Sequence, residues 1–164
     1  MGRGPVVPEE PPWLREGGLR LAATILADHQ RLFGRALLAR SHTWSARQAA
    51  QELFGATPVV LAHDGGSDPR LIYANAAALR LWDRPWASMV GMPSRLTAEP
   101  LERQARQGAL DLARRQEAIA NYAGVRVNRQ GRRFRIEGAR LWTLQEGFGL
   151  PLGQAACFES WWWL

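Results

Sequence analysis

The chain has 164 residues, of which 46% are hydrophobic and 22% charged, a size that suits one globular domain with a short extension. Its formal net charge is +6. All of its Lys and Arg positions are arginine, which excludes Schiff-base and P-loop lysine chemistry. The single cysteine, Cys157, leaves no intramolecular disulfide and no CxxC motif. No segment resembles a signal peptide or reaches the roughly 20 apolar residues of a membrane span. We therefore expect a soluble, cytoplasmic protein with no membrane partner.

The first third of the chain divides into a lead and a helical region. Residues 1–18 are rich in Pro and Gly and are predicted to form a flexible lead. Residues 19–55 are predicted to be N-terminal helices. Apolar residues recur at helical spacing between Leu19 and Leu37, which is typical of an amphipathic helix. Ser45 is followed three residues later by Gln48, the capping-box pattern that begins a second helix.

Residues 56–164 are predicted to form the core of the domain. The segments "PVVLAHD" and "RLIYA" indicate two strands joined by a turn. Asn75 is placed to cap the helix "AAALRLWD". Short turns follow, and then a longer helix, "EPLERQARQGALDLARRQEAI", with an apolar face. Its other face is predicted to carry the arginines outward: Arg103, Arg106, Arg114 and Arg115.

After Asn121 the pattern has the two-residue period of strands, in "YAGVRVN", "RRFRIEGARLWTL" and "GQAACFESWWWL". Three antiparallel strands are predicted. Strict alternation from Phe134 and Ile136 would turn Arg140 inward. A bulge at Gly138 would instead turn Leu141 inward, and the pattern does not decide between the two.

The text "IYANAAALRLWDRPWASMVGMP" resembles the PAS fold, in which a strand ends in an Asn-capped helix. The phrases "MPSRLTAEP", "YAGVRVNRQGRRFRIEGARLW" and "GQAACF" are similar to the MEKHLA domain, a PAS-like family with stand-alone bacterial and algal members. The resemblance covers about residues 19–163. It implies an α+β fold: a five-stranded antiparallel sheet in the order 2-1-5-4-3, with helices on one face, preceded by an amphipathic N-terminal helix.

The resemblance also implies a small-molecule pocket between the sheet and the helices. If Arg140 points inward, an acidic ligand is favoured, because a buried guanidinium needs an anion. No catalytic residues are predicted. The expected pocket residues are Tyr73, Trp82, Trp86, Met89, Met92, Ser94, Arg140 and Trp142.

No cofactor is identified by the sequence. Flavin photosensors of the PAS family place a cysteine where this chain has Ser94, so a cysteinyl-flavin bond cannot form. Residues 99–119 contain no histidine, so the usual haem ligand of PAS relatives is missing. The three histidines, His29, His42 and His63, have no close ligand spacing, and no metal site is predicted.

The function favoured by these observations is a stand-alone sensory or interaction module that binds a small molecule, a partner protein or both, and acts in trans. A homodimer or another protein partner is expected through a surface containing Leu26, Phe33, Arg133 and Arg135. One alternative is a small α+β enzyme of the hydrolase or isomerase type. Another is an arginine-rich nucleic-acid-binding module, although nucleic acid is not the expected partner.

Overall fold

The computed structural model describes residues 8–39, 44–146 and 150–164, together with Gly2, Gly4 and Pro5. The described helices are α1 (Glu16–Phe33), α2 (Ala46–Phe54), α3 (Ala76–Trp82), α4 (Trp86–Met89) and α5 (Pro100–Gln116). The strands are β1 (Val59–Asp64), β2 (Leu71–Ala74), β3 (Ala118–Val127), β4 (Arg133–Glu146), β5 (Leu150–Phe158) and β6 (Ser160–Trp163). Short 3-10 helices lie at Pro12–Leu14 and Ser94–Thr97.

The strands form one antiparallel sheet in the order β2-β1-β5-β4-β3, as predicted. The sequence predicted three strands after Asn121, whereas the structure has a fourth, β6. Glu159 interrupts the last predicted strand, and β6 then pairs with the beginning of β4, so that Phe134 lies opposite Trp163. The end of the chain therefore extends the sheet along β4.

Helices cover both faces of the sheet. On one face, α3 and α5 pack against apolar side chains that include Phe134, Ile136 and Leu141. On the other face, α1 and α2 pack in a cluster that includes Trp142 and Cys157. The predicted α+β architecture with an N-terminal helix is confirmed. The candidate functional site lies between the sheet and the layer formed by α3 and α5.

Regular structure begins earlier than the predicted boundary at residue 19. Trp13 stacks on Phe54 with ring centroids 3.6 Å apart, and Leu14 is buried. These contacts join the Pro-rich segment to α2, while α1 already begins at Glu16. At its other end, α1 stops at Phe33 because Gly34 adopts a left-handed conformation, φ 69°, that closes the helix.

Asn75 forms the corner between β2 and α3. Its side-chain oxygen accepts hydrogen bonds from the Ala78 amide (3.1 Å) and the Val60 amide (3.0 Å). Its side-chain nitrogen donates to the carbonyl oxygens of Pro58 (2.7 Å) and Leu53 (3.3 Å). The residue is completely buried. The predicted helix cap is therefore also a joint between α2, β1 and α3.

The second predicted cap is present as well. The Ser45 hydroxyl accepts from the Gln48 amide at 3.1 Å, and the Gln48 side chain accepts from the Ser45 amide at 2.8 Å. In the parts of the chain that the structure describes, no helix has the length and apolar character needed to cross a lipid bilayer.

Candidate functional site

A cavity of about 50 Å³ lies between the sheet and helices α3 and α5. Most of its wall is apolar. Leu61 of β1, Ile136 of β4 and Phe158 of β5 line it from the sheet, while Trp82 of α3 and Leu110 of α5 close it from the helices. One water molecule needs about 10–15 Å³ of cavity volume, so this cavity has room for roughly four waters.

Gly138 decides which side chains of β4 reach this cavity. Its φ of 62° is a conformation that side chains with a Cβ rarely adopt. Ile136 and Ala139 consequently both line the cavity although they are three positions apart, and Leu141 follows them. The bulge alternative is therefore the one observed, and Arg140 lies on the opposite face, towards α1.

The structure divides the predicted pocket residues between the two faces of the sheet. Trp82 lines the cavity and donates from its indole nitrogen to the Thr97 carbonyl oxygen at 3.4 Å. Met89 and Met92 pack in the same apolar cluster as Trp82. Ser94 is buried and bonds to a cavity-lining arginine. The others lie with α1 and α2 on the far side: Tyr73, Trp86, Arg140 and Trp142.

Two buried arginines line the cavity. Arg106 of α5 is 9% exposed, and its Nη2 donates to the Ser94 hydroxyl at 2.9 Å. Arg126 of β3 is 7% exposed, and its Nη2 donates to the Tyr122 hydroxyl at 3.1 Å. The expectation that Arg106 points outward is wrong. Arg106 lies four positions before Leu110 and seven before Ala113, so the three residues share one face of the helix. This spacing is the signal in the sequence that places Arg106 on the buried face.

Two further polar side chains of the cavity wall are buried. His63 is 6% exposed and donates from Nδ1 to the Asp64 carbonyl oxygen at 2.7 Å, so its Nε2 is an acceptor. Gln154 is 4% exposed and donates to the Leu110 carbonyl oxygen at 2.8 Å. Neither the His63 Nε2 nor the Gln154 Oε1 has a hydrogen-bond partner among the described residues.

Burial affects the protonation of these groups. It lowers the pKa of Arg106 to about 10, with a further contribution from the charge of Arg126. Burial likewise lowers the pKa of His63, and the charge of Arg106 acts in the same direction. At neutral pH the cavity therefore combines a protonated guanidinium with a neutral imidazole.

Arg140 lies outside the wall of this cavity, on the other face of the sheet. Its Nη2 donates to the buried Cys157 sulfur at 3.4 Å, and its Cζ lies 6.0 Å from the centre of the Phe33 ring. Nearby, His29 is fully buried and donates from Nδ1 to the Arg35 carbonyl oxygen at 3.0 Å. These contacts join α1 to β4 and β5.

The residues of the expected interaction surface are also in contact within the chain. Leu26 is buried and Phe33 is half-buried in the cluster beneath α1. Arg133 forms an ion pair with Glu99 at 2.8 Å, and Arg135 pairs with Glu137 at 3.2 Å. The apolar stripe of α1 is thus covered by the sheet of its own chain.

The cavity does not fit a flavin or a haem. Sites for ligands of that size commonly have volumes of about 300–1,000 Å³, compared with about 50 Å³ here. The Ser94 hydroxyl is also engaged with Arg106. Among the described residues, no group of three or more His, Cys, Asp and Glu side chains could hold a metal ion. His42 lies outside the described residues.

Known structures with a similar architecture include PAS and light-oxygen-voltage domains. A PAS domain of a protein from Colwellia psychrerythraea superposes with a TM-score of 0.61 at 13% identity, covering 68% of this chain and 92% of that one. A light-oxygen-voltage domain from work on a flavin analogue has a TM-score of 0.56 at 14% identity, with 74% and 86% covered. An RNA-binding light-oxygen-voltage receptor has a TM-score of 0.54 at 21% identity, with 74% and 35% covered.

No curated protein matches the chain significantly in sequence. The family model of the MEKHLA domain, however, matches residues 19–163, which is most of the chain. That range contains the sheet, the helices on both of its faces and the cavity. The chain belongs to the MEKHLA domain family and has the fold of PAS-like sensory domains.

Proposed function

We propose that the chain is a sensory module that binds a small organic molecule in the cavity between the sheet and helices α3 and α5. The observation that carries the proposal is the pair of unpartnered polar atoms, His63 Nε2 and Gln154 Oε1, in the wall of a mostly apolar cavity. Buried polar atoms in folded proteins nearly always have partners. A bound molecule with polar groups would provide them here.

The connections of the wall support a sensory role. Gln154 joins β5 to α5 through the Leu110 carbonyl oxygen, and Arg106 joins α5 to the Ser94 segment. A molecule that bonds to these side chains changes how α5 is held against the sheet. Binding would therefore alter the position or the mobility of α5, which is a change that a partner can recognise.

A cavity-filling variant tests the proposal. Ala139 is completely buried in the cavity wall, so Ala139→Leu fills part of the space. Ala105→Leu places the same side chain on the exposed face of α5 and is the matched control. Amide spectra of labelled protein should respond to at least one member of a library of metabolites with up to about seven non-hydrogen atoms, the size that the cavity volume allows.

The response should be centred on residues of the cavity wall, should be lost in Ala139→Leu and should persist in Ala105→Leu. Native mass spectrometry of the purified protein provides a second measurement. If no library member shifts cavity resonances and no small molecule accompanies the native protein, the proposal is wrong.

We also propose that the output is a contact with another protein chain, with a second copy as the first candidate. Trp162 supports a contact surface at β6, because it is 44% exposed while Trp161 and Trp163 on either side are more buried. Light scattering of the wild type and of Trp162→Ser tests this, and two monomeric proteins would refute a homodimer.

A further inference from the structure

The charges of the cavity wall are not balanced within the chain. Arg106 and Arg126 line the same cavity and are both at least nine-tenths buried. Their side-chain bonds go to neutral oxygens: the Ser94 hydroxyl for Arg106, and the Tyr122 hydroxyl and Val125 carbonyl for Arg126. Among the described residues, no carboxylate pairs with either guanidinium.

Two guanidinium groups in an apolar wall are unfavourable without an anion. Removal of the guanidinium from water is strongly opposed, and like charges add to the penalty. An arginine cannot escape this penalty by losing its proton at neutral pH, and the pKa of Arg106, although lowered by burial, is still about 10. An anion from outside the chain would balance the charge and bond to the free guanidinium hydrogens.

The two arginines need a hydrogen-bond acceptor, whereas the unpartnered atoms of His63 and Gln154 need a hydrogen-bond donor. The Nδ1 of His63 is the donor to the Asp64 carbonyl oxygen, which leaves Nε2 with a lone pair. The side-chain nitrogen of Gln154 donates to the Leu110 carbonyl oxygen, which leaves the side-chain oxygen, Oε1, as an acceptor. Both unpartnered atoms therefore accept hydrogen bonds. A ligand that satisfies them must carry an O–H or N–H group.

Size and apolarity narrow the ligand further. The cavity volume of about 50 Å³ corresponds to roughly four water molecules, which excludes nucleotides, sugar phosphates and aromatic cofactors. The remaining wall consists of side chains such as Leu61, Ile136 and Leu141, which suit a short hydrocarbon segment. The ligand must combine an anionic end, a donor group and only a few carbon atoms.

We infer that the cavity binds a hydroxycarboxylic acid of three or four carbons, with its carboxylate on Arg106 and Arg126 and its hydroxyl donating to His63 or Gln154. This inference rests on the proposed function and adds the class of ligand. Arg106 has the leading role, because it also bonds to Ser94 and so connects the carboxylate to the segment between α4 and α5.

The test uses matched sets of small probes in isothermal titration and in amide spectra. Lactate, 2-hydroxybutyrate and 3-hydroxybutyrate present both groups. Lactamide keeps the hydroxyl and replaces the carboxylate, while propionate and butyrate keep the carboxylate and lack the hydroxyl. At least one hydroxy acid should bind, with its amide counterpart at least tenfold weaker and its deoxy counterpart about fivefold weaker or more.

Arg106→Met removes the charge while it keeps an apolar side chain in the wall, and should weaken hydroxy-acid binding at least tenfold. Arg115→Met is the matched control, because Arg115 is exposed on the same helix, and it should bind like the wild type. If Arg106→Met fails to fold, Arg126→Met gives the same comparison from β3. The amide and deoxy probes need no variant.

The outcomes separate the two proposals. Equal binding of lactate and lactamide, or wild-type affinity in both arginine variants, would overturn the ligand class and leave a small-molecule site in place. If only neutral members of the library bind, the hydroxycarboxylic acid is likewise the wrong ligand class, and the small-molecule site still stands. If neither these probes nor the metabolite library shifts the amide resonances of cavity residues, and the native protein carries no small molecule, both proposals are wrong.

Discussion

Substitution of Asn75 tests whether one side chain holds three elements together. In Asn75→Ala the amide is removed from a completely buried position. The Ala78 amide then loses its cap, the Val60 amide loses its side-chain acceptor, and the carbonyl oxygens of Leu53 and Pro58 lose a donor.

The magnitude follows from the separate contributions. Loss of an N-cap costs about 1 kcal/mol. A buried amide left without an acceptor costs about 1–3 kcal/mol, and each carbonyl that loses a donor about 0.5–1.5 kcal/mol. With partial relaxation, Asn75→Ala should reduce the free energy of unfolding by roughly 3–5 kcal/mol. Ser45→Ala, which removes a cap at the exposed start of α2, should cost only about 1 kcal/mol.

Urea unfolding followed by tryptophan fluorescence measures both variants, with eight tryptophans as reporters. The two curves should differ in midpoint with similar slopes. If Asn75→Ala costs no more than Ser45→Ala, the side chain is an ordinary cap and the idea of a joint between α2, β1 and α3 is refuted.

Three further predictions concern His29, Cys157 and Gly138. Burial, followed by the charge of Arg140, lowers the pKa of His29 from 6.5 to about 4. The unfolded chain therefore takes up the proton first as pH falls, and stability should decline between these pH values by at most about 1.4 kcal/mol per pH unit. In His29→Leu, urea titrations at a series of pH values should show a smaller slope of the free energy of unfolding against pH. A slope equal to that of the wild type would contradict this role of His29. Burial raises the pKa of the Cys157 thiol despite its bond to Arg140, so Ellman's reagent at pH 7 should label native protein at least about 100-fold more slowly than urea-unfolded protein; comparable rates would show an accessible thiolate. Because Gly138 has a φ of 62°, Gly138→Val should reduce the free energy of unfolding by about 1–3 kcal/mol and Gly138→Asn by less, and equal losses in urea unfolding would show that the left-handed conformation is unimportant.

Local patterns predicted the elements well, because the forces that form them act over a few residues. Asn75 and Ser45 were identified as caps from their positions before apolar helical segments, and both make those bonds. The strand order also matched, but it came from the family resemblance rather than from spacing. Spacing alone could not have shown that Asn75 reaches Leu53 and Pro58 as well.

The site was predicted less well than the fold. Tyr73 and Trp86 are large and aromatic, as pocket residues often are, yet they pack with the N-terminal helices. Hydrophobicity shows that a side chain is buried without showing which face of the sheet buries it. The side of the sheet depends on bulges such as the one at Gly138, where one residue reverses the alternation.

The sequence by itself determined the order of the main elements, the caps at Ser45 and Asn75, the family and the absence of a cysteinyl-flavin residue at Ser94. Only the tertiary structure decided that Arg106 and Arg126 share one cavity while Arg140 lies beyond the sheet. Charge patterns lead one to expect arginine in solvent, because an unpaired guanidinium is costly to bury. The structure shows where that expectation fails, and a cavity with two buried cations and two free acceptors is the physical reason to look there for a ligand.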